Sequence, residues 1–345
     1  MPTVPASELT HFCEAILQAA GVPRHKAEIT AASLISANLR GVDSHGIQLL
    51  PFYIDQLLAA EMDPQADGQV ISESGCCLHF DAQNGLGQWV AETCCAHAVR
   101  IARQLGLGMV VARESNHFGA AAWWARKMRD AGQIGIVMCN ASPIVPPWQG
   151  KQGQLGTNPI CMSVPGPWLL DMATTTVAAG KVFKAFLNGQ PEIPAGWAFD
   201  SDGVPTTNTQ AAYKGMLMPL GGYKGSGLAM MVEILCSVLS GGAMCDQVGG
   251  IRYRGKKVRN SQMYLAIDVA RFMPLEEFTA RVTELVRIMK STPAAPGFDE
   301  VLVAGDPEWR TEAERRVTGL PIAGGNWDQL LKAAARVGVA AIPVQ

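Results

Sequence analysis

Between about residue 88 and residue 269 two hydrophobic periodicities take turns, and this alternation constrains the fold more than any other property of the chain. Gln88 to Leu105 has helical spacing, and MVVARES then reads as a strand ending near Ser115, because its β-branched pair stands between small residues. NHFG leads into a Trp- and Ala-rich helix that stops near Gly132. Further strands are expected at IGIVMCN, ICMSVP and MYLAIDV, with a helix at Leu228 to Leu239 between the last two. Strands alternating with helices of this length specify a layered, mixed α/β architecture.

Both ends of the chain are helical instead. Leu9, Phe12, Ile16 and Ala20 lie at helical spacing within Ser7 to Ala20, and Gly21 supplies a stop. A second helix is expected from Arg24 to Leu39, and Pro51 divides the apolar stretch that follows. From Leu275 the tail returns to helix in LEEFTARVTELVRIM, PEWRTEAERRV and NWDQLLKAAARV. The termini are therefore expected to form one discontinuous helical domain, residues 1–75 plus 275–345, beside an α/β domain at 76–274. A length of 345 residues at 48% hydrophobic supports two packed regions, and 17% charged is too little for disorder.

Charge and cysteine content exclude several classes of function. A net charge of -2 offers little to a phosphate backbone, and the short Arg252 to Arg259 stretch is the densest basic run, so nucleic acid is not an expected partner. No signal peptide opens the sequence and no apolar run approaches a membrane span, which gives an expectation of a cytoplasmic protein without membrane contact. Nine cysteines, an odd number, read as reduced and buried. The adjacent pairs Cys76/Cys77 and Cys94/Cys95 lack zinc-binding spacing, and no metal motif is present.

Chemistry is concentrated in a few polar islands. Of six histidines, His45 in DSHG and His117 in SNHFG sit among small polar residues inside apolar stretches, a setting that admits a ligand. A single such histidine is more often a satisfied structural residue; two together favour a site. His117 precedes a helix, whose positive end favours neutral imidazole, whereas Asp43 beside His45 would favour imidazolium and make His45 the better proton donor. Arg40 has the planar fork that suits a carboxylate, although an arginine near a helix end is as often a capping group. GGYKGSG opens a helix with Lys224 and Gly225, where exposed N–H groups and a positive charge suit a phosphate-bearing cofactor, yet it matches neither the Walker loop nor the GxGxxG fingerprint. GTNP, with Thr157 and Asn158, and DMATTT, beginning at Asp171, each adjoin a strand, as ligand loops and ordinary turns both do.

Taken in order, RGVDSHG, SNHFG, GTNP, DMATTT, DSDGVPTT, PLGGYKGSG and TPAAPGFDEVLVAGDPEWR resemble the malate/L-lactate dehydrogenase family that lacks a Rossmann fold. That family includes 2,3-diketogulonate reductase, ureidoglycolate dehydrogenase, sulfolactate dehydrogenase and Δ1-piperideine-2-carboxylate reductase. The resemblance spans nearly the whole chain, and PPWQGKQGQLGTNP is most similar to the diketogulonate branch. It implies a non-Rossmann α/β dehydrogenase fold and a homodimer that uses NAD or NADP in a cleft between domains, close to the partner subunit. It further implies proton transfer at His45 or His117. Cofactor contacts would then fall on Asp171, Met172, Ala173, Thr174, Thr175, Thr176 and Val177, on Lys224 and Gly225, and on Gly305, Asp306 and Pro307. Where the piperideine branch carries a carboxylate ten residues after the DMAT aspartate, this chain has Lys181, which tilts the choice toward a carbonyl substrate.

The expected reaction is hydride transfer between nicotinamide and C2 of a 2-oxo or 2-hydroxy acid, with His45 handling the proton. Arg40 would hold the carboxylate of this small substrate, Ser44 or His117 would orient the carbonyl, and Thr157 and Asn158 are further substrate candidates. A cyclic imine carboxylate reductase on the same scaffold is the first alternative, and a nucleotide-binding module without catalysis the second.

Overall fold

The computed structural model describes residues 2–252 and 254–342. Twelve strands are present among the described residues: β1 (Thr3–Val4), β2 (Gln69–Ser74), β3 (Cys77–Asp81), β4 (Leu107–Ser115), β5 (Gln133–Cys139), β6 (Ile160–Ser163), β7 (Leu169–Met172), β8 (Ala198–Phe199), β9 (Pro205–Thr206), β10 (Met216–Leu217), β11 (Asn260–Asp268) and β12 (Leu320–Pro321). The helices are α1 (Ala6–Ala19), α2 (Arg24–Leu39), α3 (Leu50–Leu58), α4 (Gly87–Leu105), α5 (Ala121–Asp130), α6 (Ala179–Leu187), α7 (Thr209–Lys214), α8 (Tyr223–Glu233), α9 (Leu275–Lys290), α10 (Asp306–Thr318) and α11 (Gly324–Arg336). Tight 3-10 turns occupy Asp43–His45 and Ile47–Leu49, and α8 continues into a π-helical turn at Ile234–Val238.

A seven-stranded sheet in the order β2-β3-β4-β11-β5-β6-β7 forms the middle layer. Its neighbours run antiparallel except for the parallel pair β3 and β4. Because side chains alternate along a strand, each strand feeds two cores. Val110, Ala112, Val137, Cys139 and Tyr264 face α4 and α5, while Val111, Met138 and Met263 face Val232 and Cys236 on the other side. The sheet is thus covered by helices on both faces, which makes the middle of the chain a mixed α/β layer.

Residues from α1, α2, α3 and α11 share a separate core with Leu9, Phe12, Leu34, Ile54, Trp327 and Leu330 at its centre. A third, smaller core joins α6, α7, the start of the 144–155 loop and the three-stranded sheet β10-β8-β9. Two-residue strands such as β8 and β9 carry no readable periodicity, so this unit had no counterpart in the sequence reading. The helix expected at Leu228 to Leu239 begins earlier, at Tyr223, and changes to π geometry at Ile234.

Candidate active site

The helical layer, the sheet ends and the small unit enclose a cavity of about 950 Å³. Pockets for organic ligands run to about 1,000 Å³, so this one has room for more than a three- or four-carbon acid alone. Its wall includes Arg40, Ser44, His45, Phe52, His117, Thr157, Asp171, Phe183, Tyr213, Arg252, Gly305 and Pro307.

His45 owes its position to a clamped turn. The Asp43–His45 turn closes through His45 N–H to Val42 O at 2.9 Å and Gly46 N–H to Asp43 O at 3.1 Å. Asn38, the buried residue beneath it, donates to Asp43 Oδ1 at 2.7 Å and accepts the Ile47 N–H at 2.8 Å. A Cβ on Gly46 would lie 2.1 Å from Asn38 Oδ1, so the turn reaches Asn38 because that residue is glycine. Asp43 is spent on Arg315 of α10, with contacts at 2.8 and 3.2 Å. It does not charge His45, and the expectation of a favoured imidazolium there is overturned. Burial, followed by the positive charge of Arg252, lowers His45 to about 4. Ser44 Oγ lies 2.9 Å from His45 Nδ1.

His117 sits on the loop after β4. Asn116 fixes that loop by donating to Asn84 O at 2.9 Å and Gly85 O at 2.8 Å, while its own carbonyl accepts from Gln262 at 3.0 Å. Gly87 permits the start of α4 to close in, since a Cβ there would meet the Asn116 and His117 carbonyls at 2.3 Å. The Gly119 N–H donates to His117 Nδ1 at 3.2 Å, and Tyr53 Oη lies 2.7 Å from the same nitrogen. A nitrogen that accepts a backbone N–H carries no proton, so neutral His117 holds its proton on Nε2. Burial, His45 and Arg252 together lower His117 to about 3, and α5, whose positive end was expected to act on it, starts only at Ala121. The two imidazoles are stacked, with centroids 5.8 Å apart and planes at 24°.

Another part of the wall is acidic and basic together. Asp171, near the end of β7, is open to the cavity and accepts the Ala122 N–H of α5 at 2.9 Å; desolvation by the surrounding wall raises it to about 6. Arg40 ends α2, pairs with Glu312 of α10 at 3.7 Å and lowers Asp171 by its charge. Its Nε and Nη1 are buried without a hydrogen-bond partner among the described residues, a donor set that fits an incoming anion. Met172, Ala173, Gly305 and Pro307 complete this part of the cavity. The donors and the room present here fit a nicotinamide dinucleotide.

Other expected residues lie off the cavity wall. Asn158 is fully buried and donates to Ala229 O at 2.9 Å and Glu233 Oε1 at 3.1 Å, while its Oδ1 accepts the Ala141 N–H at 2.9 Å; its side chain holds the fold, not a substrate. Thr174 and Thr175 are buried, and Thr174, Thr176 and Leu220 bind one another's neighbouring backbone, joining 174–176 to the 218–220 segment before α8. Gly225 packs on that segment, since a Cβ there would meet Leu220 N at 2.3 Å and Thr174 O at 2.6 Å. Val177 is buried in the small core, Lys224 is exposed, and Asp306 pairs with Lys290 at 2.8 Å. Arg252, Tyr53, Phe52 and Phe183 were not singled out from sequence. Tyr53 ends the same RGVDSHGIQLLPFY stretch as His45, and that proximity was the available signal.

A family model for malate/L-lactate dehydrogenase matches residues 4–331. The chain is 36% identical over 347 residues to a malate dehydrogenase of Pyrococcus horikoshii, covering 97% of this chain and 96% of that one. It is also 36% identical to an L-sulfolactate dehydrogenase of Methanocaldococcus jannaschii, with 94% of each covered. The solved malate dehydrogenase of Pyrococcus horikoshii superposes with a TM-score of 0.91 at 35% identity, over 99% of this chain and 97% of the other. A Δ1-piperideine-2-carboxylate reductase of Pseudomonas syringae superposes with a TM-score of 0.87 at 29% identity, over 97% and 100%.

Proposed function

The chain belongs to the malate/L-lactate dehydrogenase family, and from that premise we propose that it interconverts a small 2-hydroxy acid and the corresponding 2-oxo acid, with His45 transferring the proton. It is an oxidoreductase of the hydroxy acid dehydrogenase type that uses a nicotinamide cofactor. The observation that carries the proton assignment is the stacked pair of imidazoles on the wall of a cavity large enough for both reactants.

When bound, the nicotinamide supplies or accepts the hydride at C2. In oxidation, neutral His45 takes the proton from the hydroxyl as C2 becomes a carbonyl; in reduction, it returns a proton to the oxygen. His117, with its proton on Nε2, donates a hydrogen bond that orients the oxygen, and Tyr53 and Gly119 keep that tautomer fixed. Ser44 holds the ring of His45 from Nδ1. Thr157 on the wall is a substrate contact. Asp171, Met172, Ala173, Gly305 and Pro307 would border the cofactor, with Thr174, Thr175, Thr176, Val177, Lys224, Gly225 and Asp306 behind or beside that wall. NAD and NADP both fit this reading.

Two copies of the chain form the working unit. Tyr223, Met230, Ile234 and Val238 project from one face of α8 and its π turn, and all four are exposed. An apolar stripe of this length on a water-soluble face supports burial against a second copy. Nine free cysteines support a reducing, cytoplasmic compartment. The test is a panel of 2-oxo acids and a cyclic imine carboxylate, each with NADH and NADPH. Oxidation of the cofactor with an oxo acid is the expected result; turnover of the imine alone would replace this reading with the reductase alternative.

A further inference from the structure

Helix α10 packs across the segment that carries the DSHG turn. Gly41, at φ +76° just after α2, gives it room: a Cβ there would lie 3.0 Å from Thr311 Cγ2. The next residue of α10, Glu312, is buried and faces Arg40 at 3.7 Å and Arg126 at 3.5 Å. One helical turn beyond Thr311, Arg315 reaches the DSHG turn itself. Its Nη1 donates to the Asn38 carbonyl and, at 2.8 Å, to Asp43 Oδ1, while Nη2 donates to Asp43 Oδ2 at 3.2 Å. A planar fork that meets both carboxylate oxygens and a neighbouring carbonyl fixes an orientation, which a point-like ammonium does not.

A basic residue in the last turn of a helix often serves only that helix's carbonyl end. Arg316 fits this description, because its side chain is 60% exposed and pairs with Glu312 within α10. The Arg315 side chain is only 16% exposed and crosses to α2 and the turn after it. An ion pair whose carboxylate still meets solvent adds little stability, so the worth of this one lies in where it holds Asp43.

We propose that Arg315 is a positioning residue: from α10 it anchors Asp43, and through the three-residue turn it fixes where the His45 ring stands in the cavity. The inference rests on the proposed proton transfer at His45. The path between the two residues is short. Asp43 opens the turn that His45 closes, and the Asp43 carbonyl accepts the Gly46 N–H at 3.1 Å. Asn38 holds the Asp43 carboxylate at 2.7 Å and the Ile47 N–H at 2.8 Å, and Arg315 ties Asn38 and Asp43 together to a second helix.

The same contact governs the charge near His45. Around that ring stand Ser44, His117 from the loop after β4, and Arg252 from the 250–252 segment, with Tyr53 of α3 beyond His117. Arg40, Asp171, Lys214 and Glu308 also line the cavity, whereas Asn38, Asp43 and Arg315 stand behind its wall. Without Arg315, the Asp43 carboxylate carries an uncompensated negative charge two residues from His45. That charge favours the imidazolium and opposes the lowering by burial and Arg252, so His45 titrates above its parent value of about 4.

The experiment compares the full-length parent with Arg315→Gln, Arg315→Lys, Asp43→Asn and the double variant Asp43→Asn/Arg315→Gln. In Arg315→Gln, kcat for oxidation of racemic malate or lactate falls about 10- to 100-fold, the scale of a displaced reacting group, while cofactor KM holds. The carbon-13 resonance of the His45 ring, identified by its absence in His45→Gln, titrates at higher pH than in the parent. Lysine returns that titration to the parent value by its charge but restores only part of kcat, because it lacks the fork. The double variant titrates like the parent, since no Asp43 charge remains to be released. Thermal unfolding verifies the fold of each variant, and should Arg315→Gln not fold, Arg315→Lys and Asp43→Asn carry the test through their losses in kcat. Unchanged kcat in the variants that fold, or a His45 titration that does not rise in Arg315→Gln, overturns the assignment. A parent that oxidises neither acid overturns the proposed reaction instead, while the ring titration, which needs no substrate, still tests the anchor.

Discussion

The DSHG turn at 43–46 and the glycine-rich start of α8 at 221–226 look alike in sequence: short, polar, glycine-bearing and next to apolar helix. In the structure they differ. The first presents His45 to the cavity, while the second packs Gly225 onto Leu220 and Thr174 and Gly222 onto Trp148, leaving Lys224 exposed. Glycine admits either a ligand or another stretch of backbone, and sequence does not say which. What would fill the space of the missing Cβ does. At 225 it is the chain itself, whereas at 46 it is Asn38, the residue that aims the neighbouring histidine.

The sharpest way to break this contrast is at its catalytic side. His45→Gln should lower turnover by about 10²- to 10⁴-fold, the usual worth of a general acid–base, without changing cofactor affinity. Steady-state rates and cofactor titration check this, and equal losses in both would remove His45 from the proton path. His117→Asn should cost less, about 10- to 100-fold in kcat/KM, because it removes one hydrogen-bond donor and not the proton acceptor. Asn158→Ala should act on stability instead, by about 1–3 kcal/mol, since Glu233, the Ala141 N–H and the Ala229 carbonyl lose a buried partner. Thermal unfolding measures it. The smallest effect belongs to the packed glycine-rich turn: Lys224→Ala should weaken cofactor binding by ~1 kcal/mol at most, as befits an exposed cation, with kcat unchanged.

Helices α1, α4 and α5 were readable because each couples an apolar stripe to a stop. Gly21, Gly106 and Gly132 all adopt positive φ where α1, α4 and α5 end. The central strands β4, β5 and β11 were readable from β-branched and apolar runs, and β2 was not, because all six of its residues are exposed. In the site, His45 and His117 stood out as polar residues in apolar surroundings. Arg252 did not, because its setting depends on Phe52 and Phe183, which only the folded chain brings to it. Asn158 misled for the reverse reason: a polar residue at a strand entrance serves a ligand or the backbone, and here it serves the backbone and Glu233.

The central claim is that an imidazole held neutral by its surroundings accepts the substrate proton. The direct measurement is the pH dependence of kcat/KM for hydroxy acid oxidation, taken in Asp171→Asn so that the cavity carboxyl titrating near 6 is silent. Protonation of His45 blocks the reaction, so the rate falls as pH drops through its pKa in the free enzyme. A constant that holds level through pH 6.5 and declines only toward about 4 is the predicted result. Half-loss at 6.5, the value of an ordinary imidazole, would contradict it.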